Sequence, residues 1–154
     1  TSVERVDERN EIFFANKIVL VEGPSDKILI SKLCENKWNI NLDQKGVALT
    51  ECGGKTGVAY FIGVCKLMGM NNYFAMWDKD SEGTSTSSIL QKVLEDGNGC
   101  ELSPNLEAYI NASCDEKINT SGNKIANADT WAENVEPGLI PENLNKVRDF
   151  ILSP

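Results

Sequence analysis

The chain has 154 residues, of which 41% are hydrophobic and 25% are charged, and this fits one globular domain with an ordinary core. Its formal net charge of −8 opposes nucleic-acid binding on average, so a phosphate-rich ligand would need positive charge from metal ions or another domain. The absence of histidine excludes Ser-His-Asp triads, Cys-His pairs and histidine-containing zinc sites built from this chain alone. No apolar run reaches membrane-spanning length, so we expect no membrane partner, and five cysteines without C-x-x-C spacing favour a reducing cytoplasm over a disulfide framework.

Strand and helix patterns alternate along the first half of the sequence. Short β-branched or aromatic runs predict buried strands at residues 17–21, 47–50 and 73–77. Helical spacing of apolar residues predicts helices at residues 25–35, with Ser25 as the N-cap, and 58–68, with Gly69 as the C-cap. The polar segment 36–46 is predicted to be a connection and residues 52–56 a turn. This order predicts parallel βαβ units.

The second half has shorter and more polar elements. We predict a loop at 81–88, a helix at 89–94, a turn at 96–99 and a short strand at 100–102. Further helices are predicted at 104–110, at 126–135 and from Pro141, at the N1 position, to Ile151, with a polar loop at 112–123. Residues 1–16 are interpreted as a linker or the tail of a preceding region, and residues 17–152 as the domain.

Acidic residues follow two of the predicted strands. Glu22 follows the first strand, with Asp26 one helical turn later, and Asp78 and Asp80 follow the third, with Glu82 next in the alternation. Because the carboxyl ends of parallel strands meet at one edge of a sheet, Glu22 and Asp78 should lie on the same edge. Clustered carboxylates hold protons unless a cation neutralises them, and their oxygens suit Mg²⁺ or Mn²⁺. Two such ions can support phosphodiester cleavage, although an Asp after a strand is also a common turn former or helix cap.

The turn after the second predicted strand has the sequence Gly53-Gly54-Lys55-Thr56. A phosphate-binding loop of the type G-x-x-x-x-G-K-[ST] needs a glycine where Leu49 stands, so we predict no ATP site here. A tight turn is the simpler interpretation. Gly53, Gly54 and Lys55 are kept as candidate substrate-binding residues.

These motifs together resemble a Toprim domain, the α/β fold shared by topoisomerases, bacterial primases, recombination-mediator proteins and OLD (overcoming lysogenisation defect) nucleases. The resemblance lies in the V-L-V-E-G run ending at Gly23, in Gly53-Gly54-Lys55, and in Asp78-Lys79-Asp80. The run from Asp78 to Gly83 also looks like the topoisomerase motif D-x-D-x-D-G, with glutamate at the third acid. The expected fold is a Rossmann-like α/β Toprim fold with a mainly parallel central sheet between helices.

Other features favour the OLD branch of that family. The sequence from Glu22 to Asp26 resembles the family's V-E-G-x-[ED], and Leu106-Glu107 resembles its downstream L-E, which supplies a further metal ligand. Lys124 resembles the family's catalytic lysine, although Glu107 also reads as a helix N-terminal acid and Lys124 as a solvated loop lysine. The resemblance implies a metal-dependent DNA endonuclease or nickase. Its metal ligands would be Glu22, Asp26, Asp78, Asp80, Glu82 and Glu107, and its catalytic residues Glu22, Asp78, Asp80 and Lys124.

The resemblance also implies partners and leaves alternatives open. OLD proteins join an N-terminal ABC-type ATPase to this nuclease, so a chain that begins at Thr1 is expected to be the excised nuclease half, with DNA as substrate and a homodimer as one expected assembly. Another Toprim activity, of topoisomerase or primase type, is one alternative. A topoisomerase would need an attacking tyrosine from another domain, because Tyr60, Tyr73 and Tyr109 all fall within predicted elements. The other alternative is a non-catalytic module that binds nucleic acid or a partner protein.

Overall fold

The computed structural model describes residues 15–80 and 87–154. The elements of the first half are β1 (Lys17–Val21), α1 (Pro24–Asn36), α2 (Leu42–Lys45), β2 (Val47–Glu51), α3 (Lys55–Leu67) and β3 (Tyr73–Asp78). Those of the second half are α4 (Ser88–Asp96), β4 (Gly99–Leu102), α5 (Leu106–Ser113), α6 (Lys124–Asn134), a 3-10 turn (Pro137–Leu139) and α7 (Glu142–Leu152). None of the helices in these two stretches is long and apolar enough to cross a membrane.

The sheet has four parallel strands in the order β2-β1-β3-β4. β1 is central, with Val21 paired to Glu51 of β2 and Leu20 to Ala75 of β3. The chain moves to one side of β1 to form β2 and then crosses to the other side to form β3. The gap beyond the carboxyl ends of β1 and β3 is therefore the switch point of the sheet, where ligands bind in open α/β folds. The predicted parallel α/β architecture is confirmed.

Helices cover both faces of the sheet, because alternate residues of each strand belong to different cores. Val19 and Val21 of β1 join the core formed with α1, α5, α6 and α7. Ile18 and Leu20 join the other core, formed with α3 and α4. All four of these side chains are buried, as expected for a strand covered on both faces. Because α1 and α3 lie on opposite faces of the sheet, the space beyond the carboxyl ends of β1 and β3 is left open between the two helices.

Several helix ends differ from the prediction, and the capping residues explain why. Gly23, not Ser25, is the N-cap of α1, with Pro24 at N1, and Pro141 is the N-cap of α7 rather than its N1 residue. Asn105 and Asn123 cap α5 and α6 through their side-chain oxygens, so these helices begin at Leu106 and Lys124 instead of residues 104 and 126. Met68 rather than Gly69 is the C-cap of α3.

One further difference concerns a connection. The segment 36–46, predicted to be without regular structure, contains the short helix α2, whose N-cap Asn41 accepts a hydrogen bond from the N–H of Gln44. Most of the loop predicted at 81–88, including Glu82, lies outside the described residues, as does most of the segment 1–16. The five cysteines are all buried and free.

Candidate active site at the carboxyl edge of the sheet

The ends of β1 and β3 are joined by an acidic side chain. Glu22 directly follows β1, and its Oε1 accepts a hydrogen bond of 2.7 Å from the backbone N–H of Asp78, the last residue of β3. The two acids that the sequence places after different strands are thus in contact at one edge. Because the bond uses the backbone of Asp78, it fixes the point from which the Asp78 side chain leaves the sheet.

The Gly53-Gly54 turn holds the backbone of Glu22. The N–H groups of Gly53 and Gly54 donate hydrogen bonds of 2.9 and 3.0 Å to the Glu22 carbonyl. Both glycines have positive φ, 76° and 104°, which residues with a Cβ rarely adopt. The turn therefore acts as a support beneath Glu22. Its predicted contact with substrate stays a prediction, and it would not use these two N–H groups.

Asp26 reaches the same edge from the first turn of α1. Its Oδ2 accepts a 3.0 Å hydrogen bond from the N–H of Gly23, and only 8% of the residue is exposed. The carboxyl group thereby satisfies one of the N–H groups left open at the start of the helix, next to the positive end of the helix dipole. Placing an acid this deeply in a folded domain is unusual and calls for a compensating partner.

The second half of the chain completes the site. The N–H of Leu106 donates a 2.9 Å hydrogen bond to Asp78 Oδ1, which places the next residue, Glu107, beside Asp78. Lys124 is the first residue of α6, a helix that packs against α1. A cleft of about 360 Å³ results, which we call the carboxylate cleft. Its lining includes Glu22, Asp26, Asp78, Glu107 and Lys124, together with Gly53 and Gly54 of the turn.

The carboxylates in this cleft affect each other's protonation. Burial raises the pKa of Asp26 to about 7, and the negative charges of Glu22 and Glu107 add to the rise, against the hydrogen bond from Gly23. Burial likewise raises the pKa of Asp78 to about 7, and Asp26, Glu22 and Glu107 raise it further, against the hydrogen bond from Leu106. Four acids thus repel one another across one cleft, so a bound cation would favour their ionised forms.

Asp80 and Lys55 do not line the cleft in the way that the sequence predicts. Asp80 is exposed, its N–H donates to the Pro104 carbonyl, and it is not among the residues around the cleft. Lys55 is 2% exposed, and its Nζ donates a 2.7 Å hydrogen bond to the carbonyl of Lys79. Lys55 therefore holds the backbone between Asp78 and Asp80. Its role as a substrate ligand stays a prediction.

One lining residue was missed by the sequence analysis. Glu51 is the last residue of β2, pairs with Val21 in the sheet, and lines the carboxylate cleft. The rule that led to Glu22 and Asp78, an acid at the carboxyl end of a parallel strand, applies equally to Glu51. It was overlooked because the second strand was predicted to end one residue earlier, at Thr50.

The residues of the cleft suit a hard divalent cation in their chemistry. Every acidic group that lines it offers oxygen, the ligand that Mg²⁺ and Mn²⁺ prefer. Burial is the main cause of the raised pKa values of Asp26 and Asp78, and neighbouring carboxylates raise both further. Within residues 15–80 and 87–154, however, no three His, Cys, Asp or Glu side chains are arranged to hold one ion. Cation binding would therefore require side-chain rotation in the cleft, with the backbone contacts described above as fixed points.

Comparison with known proteins agrees with this fold. The family model described as "Overcoming lysogenization defect protein-like, TOPRIM domain" matches residues 13–80. This part of the chain is similar to an OLD-like Toprim domain. The matched part includes Glu22, Asp26 and the Asp78-Lys79-Asp80 motif, whereas Glu107 and Lys124 lie beyond it.

Relatives and solved structures extend the comparison. The OLD nuclease of Thermus scotoductus is 38% identical over 60 residues, a match that covers 39% of this chain and 11% of that protein. The C-terminal region of the Burkholderia pseudomallei OLD protein matches with a TM-score of 0.63 at 17% identity, covering 90% of this chain and 97% of that one. The corresponding region of the Xanthomonas campestris pv. campestris OLD protein gives a TM-score of 0.65 at 17% identity, covering 92% and 94%. The OLD-like fold thus extends through the second half of the chain.

Proposed function

We propose that residues 17–152 form a divalent-metal-dependent DNA endonuclease or nickase, the Toprim nuclease half of a larger OLD-type protein. One observation carries the proposal. Glu22, Asp26, Asp78 and Glu107, from three separate parts of the chain, line one cleft with Lys124 at the switch point of the sheet. A purely structural role would not bring four mutually repelling acids together at the expense of stability.

In this proposal the acids and the lysine have different tasks. Glu22, Asp26, Asp78 and Glu107 would hold two Mg²⁺ or Mn²⁺ ions, and ions so placed supply an activated water and neutralise the leaving oxygen during phosphodiester hydrolysis. The backbone N–H groups of Gly23, Leu106 and Asp78 keep the carboxylates oriented. Lys124 stabilises the negative charge that develops on the phosphate in the transition state.

We assign neither the two remaining predicted metal ligands nor the alternative activities to this cleft. Asp80 stays a candidate at the exposed edge, and Glu82 lies outside the described residues. None of the three tyrosines, all of them described, lines the carboxylate cleft, which disfavours a topoisomerase reaction within this chain. We further propose DNA as substrate, a cytoplasmic location and a homodimer. We also propose an ABC-type ATPase region elsewhere in the full protein, because the chain matches only a small part of its OLD nuclease relative.

The test is a nicking assay on supercoiled plasmid DNA. We expect the 154-residue chain to convert supercoiled plasmid to the open circular form with Mg²⁺ or Mn²⁺, and to lose that activity in EDTA. Weak activity is expected, since a net charge of −8 opposes DNA binding. Cleavage that persists unchanged in EDTA would contradict the two-metal mechanism, and no cleavage with either ion would contradict the function.

A further inference from the structure

A second cleft, of about 380 Å³, adjoins the carboxylate cleft. We call it the amide cleft, because four asparagines line it: Asn105, Asn111, Asn119 and Asn127. Thr120 completes its polar wall, and Glu107 and Lys124 line both clefts, so the two share one boundary. The amide cleft also lies next to the acids. Asn105 directly precedes Leu106, and the N–H of Leu106 donates a hydrogen bond to Asp78.

The protein's own backbone orients the amide side chains. Asn105 Oδ1 accepts a 2.9 Å hydrogen bond from the N–H of Ala108, and Asn119 Oδ1 accepts one of 3.0 Å from the N–H of Ser121. Asn127 Nδ2 donates a 2.8 Å hydrogen bond to the Ser121 carbonyl. In each case one end of the amide is fixed, and the other end makes no hydrogen bond to another described residue. The Nδ2 groups of Asn105 and Asn119 are therefore donors held in place without an acceptor among the described residues.

Asn111 strengthens the wall between α5 and α6. Its Oδ1 accepts a 2.8 Å hydrogen bond from the N–H of Ile118, and its Nδ2 donates one of 3.1 Å to the Ile118 carbonyl. The polar loop, predicted at 112–123 and observed after the end of α5 at Ser113, is thus tied to that helix. A site whose donors are held before the ligand arrives loses less entropy on binding than a flexible one.

We propose that the amide cleft binds the sugar–phosphate backbone of the DNA strand next to the scissile phosphate. This inference rests on the proposed function, which places the scissile phosphate in the carboxylate cleft. Amide N–H and hydroxyl groups are common ligands of DNA phosphate and sugar oxygens. Among residues 15–80 and 87–154, no aromatic side chain lines this cleft, so these residues offer no surface there for stacking a base.

Substitution of asparagine by aspartate tests the inference with little change in shape. Asn105→Asp and Asn119→Asp each keep the oxygen that accepts the backbone hydrogen bond and replace the donor by an oxygen that repels phosphate. Aspartate is as good an N-cap as asparagine, so Asn105→Asp should leave the melting temperature unchanged or raise it. The matched control is Asn123→Asp, at the N-cap of α6. This substitution keeps an oxygen that accepts the hydrogen bond from the N–H of Ala126, and it adds the same negative charge beside Lys124. Asn123 itself does not line the amide cleft.

The measurements are plasmid nicking with Mg²⁺ and anisotropy of a fluorescein-labelled oligonucleotide with Ca²⁺, which takes the same oxygen ligands. We expect Asn105→Asp and Asn119→Asp to raise KM and Kd for DNA about tenfold, equivalent to about 1.4 kcal/mol, with kcat nearly unchanged. Asn123→Asp should stay close to the wild type. Asn119→Ser should weaken binding without altering its dependence on salt, whereas Lys124→Ala should lower the slope of log Kd against log salt by about one.

Each outcome bears on one proposal or the other. If Asn105→Asp and Asn119→Asp bind DNA like the control, or lower kcat with KM and Kd unchanged, the amide cleft is not a binding site for the strand. If the wild type binds the oligonucleotide more tightly than both variants but nicks nothing with any ion, the proposed function fails and the binding site stands. If the wild type neither nicks nor binds, both proposals fail.

Discussion

The Oε1 of Glu22 lies 2.7 Å from the backbone nitrogen of Asp78, although the two residues are 56 positions apart in the chain. This hydrogen bond joins the loop after β1 to the end of β3 at the switch point of the sheet. The side chain that would hold a cation therefore also sets the position of the next acid. Changes at Glu22 should accordingly disturb the geometry of Asp78 as well as the charge of the cleft.

Asp78→Asn is expected to abolish nicking and to leave the fold intact. The amide keeps an oxygen that can accept the Leu106 hydrogen bond but removes one of four repelling charges. Activity should fall by more than the roughly 10–100-fold typical of losing a group that only supports a metal ligand. The melting temperature without metal should stay the same or rise. Glu35→Gln, an exposed position on α1, is the control, and nicking by Asp78→Asn at the control's level would remove Asp78 from the site.

Lys124→Ala is expected to lower kcat for nicking on the order of 100-fold, as for the loss of a transition-state charge stabiliser. Divalent-cation binding, followed by calorimetry, should persist because the carboxylates remain. Lys124→Arg should restore only part of the activity, since a planar guanidinium differs in shape from an ammonium. The control is Lys66→Ala, an exposed lysine at the far end of α3. Full activity in Lys124→Ala, together with loss in a folded Lys55→Ala protein, would place the catalytic cation at the glycine turn.

The metal-free domain should become less stable as the pH rises from about 4 to about 7. In this range an unfolded chain has released the protons of Asp26 and Asp78, whose ordinary pKa is 3.8, whereas the folded domain still holds them because both pKa values are raised to about 7. The folded state thus binds more protons, so the free energy of unfolding falls through this window and levels off above it. Urea unfolding in EDTA measures the slope. Asp26→Asn should flatten it, and an unchanged slope in this variant would contradict the raised pKa.

Lys17→Met should destabilise the domain by about 1–2 kcal/mol in urea unfolding. Lys17 is 7% exposed, and its Nζ donates to the backbone carbonyls of Phe150, Ile151 and Ser153 at the end of α7. Methionine keeps the apolar stem but leaves these carbonyls without their donor. Lys45→Met, an exposed position on α2, is the comparison. Equal stability of the two variants would show that desolvation of the ammonium cancels the benefit of the cap.

Two glycines of α3 should respond to alanine in opposite directions. A Cβ at Gly57 would lie 1.7 Å from the carbonyl oxygen of Cys52, whereas no described residue lies within 4 Å of a Cβ at Gly63. Gly57→Ala must push α3 away from the preceding turn and should destabilise the fold by about 1–3 kcal/mol. Gly63→Ala should stabilise it by about 0.5–1 kcal/mol through helix propensity. Urea unfolding of both variants tests the close approach of Gly57 to the Cys52 carbonyl. An equal change in the free energy of unfolding in the two variants would contradict it.

The sequence predicts the sheet well because buried parallel strands are continuous apolar runs. Lys17–Val21 is predicted with its observed bounds, and the strands at Val47–Glu51 and Tyr73–Asp78 differ by one residue at their ends. Strand ends then locate Glu22 and Asp78, because topology alone brings them to one edge. Asp26 and Glu107 depended on short motif resemblances, as periodicity alone does not show which helix N-terminus faces that edge.

The contacts that support the site were not predictable from local patterns. The sequence offers Lys55 only as a candidate substrate-binding residue, and its hydrogen bond to the Lys79 carbonyl depends on how α3 packs against the sheet. The sequence does not predict the amide cleft. Asparagine is frequent between residues 105 and 127, but asparagine is equally common at helix caps and in turns. Such features depend on tertiary packing, which brings distant segments together.

The order in which the site's parts occur along the chain has a consequence for protein synthesis. Glu22, Asp26, Asp78 and Glu107 are all translated before Lys124, and α6 brings Lys124 to the cleft by packing against α1. A nascent chain therefore carries the acids first, without the neighbouring lysine. If Lys124 acts as proposed, the ability to cut DNA arises only after α6 has left the ribosome and docked, so incomplete or truncated chains pose little danger to the genome of the cell that makes them.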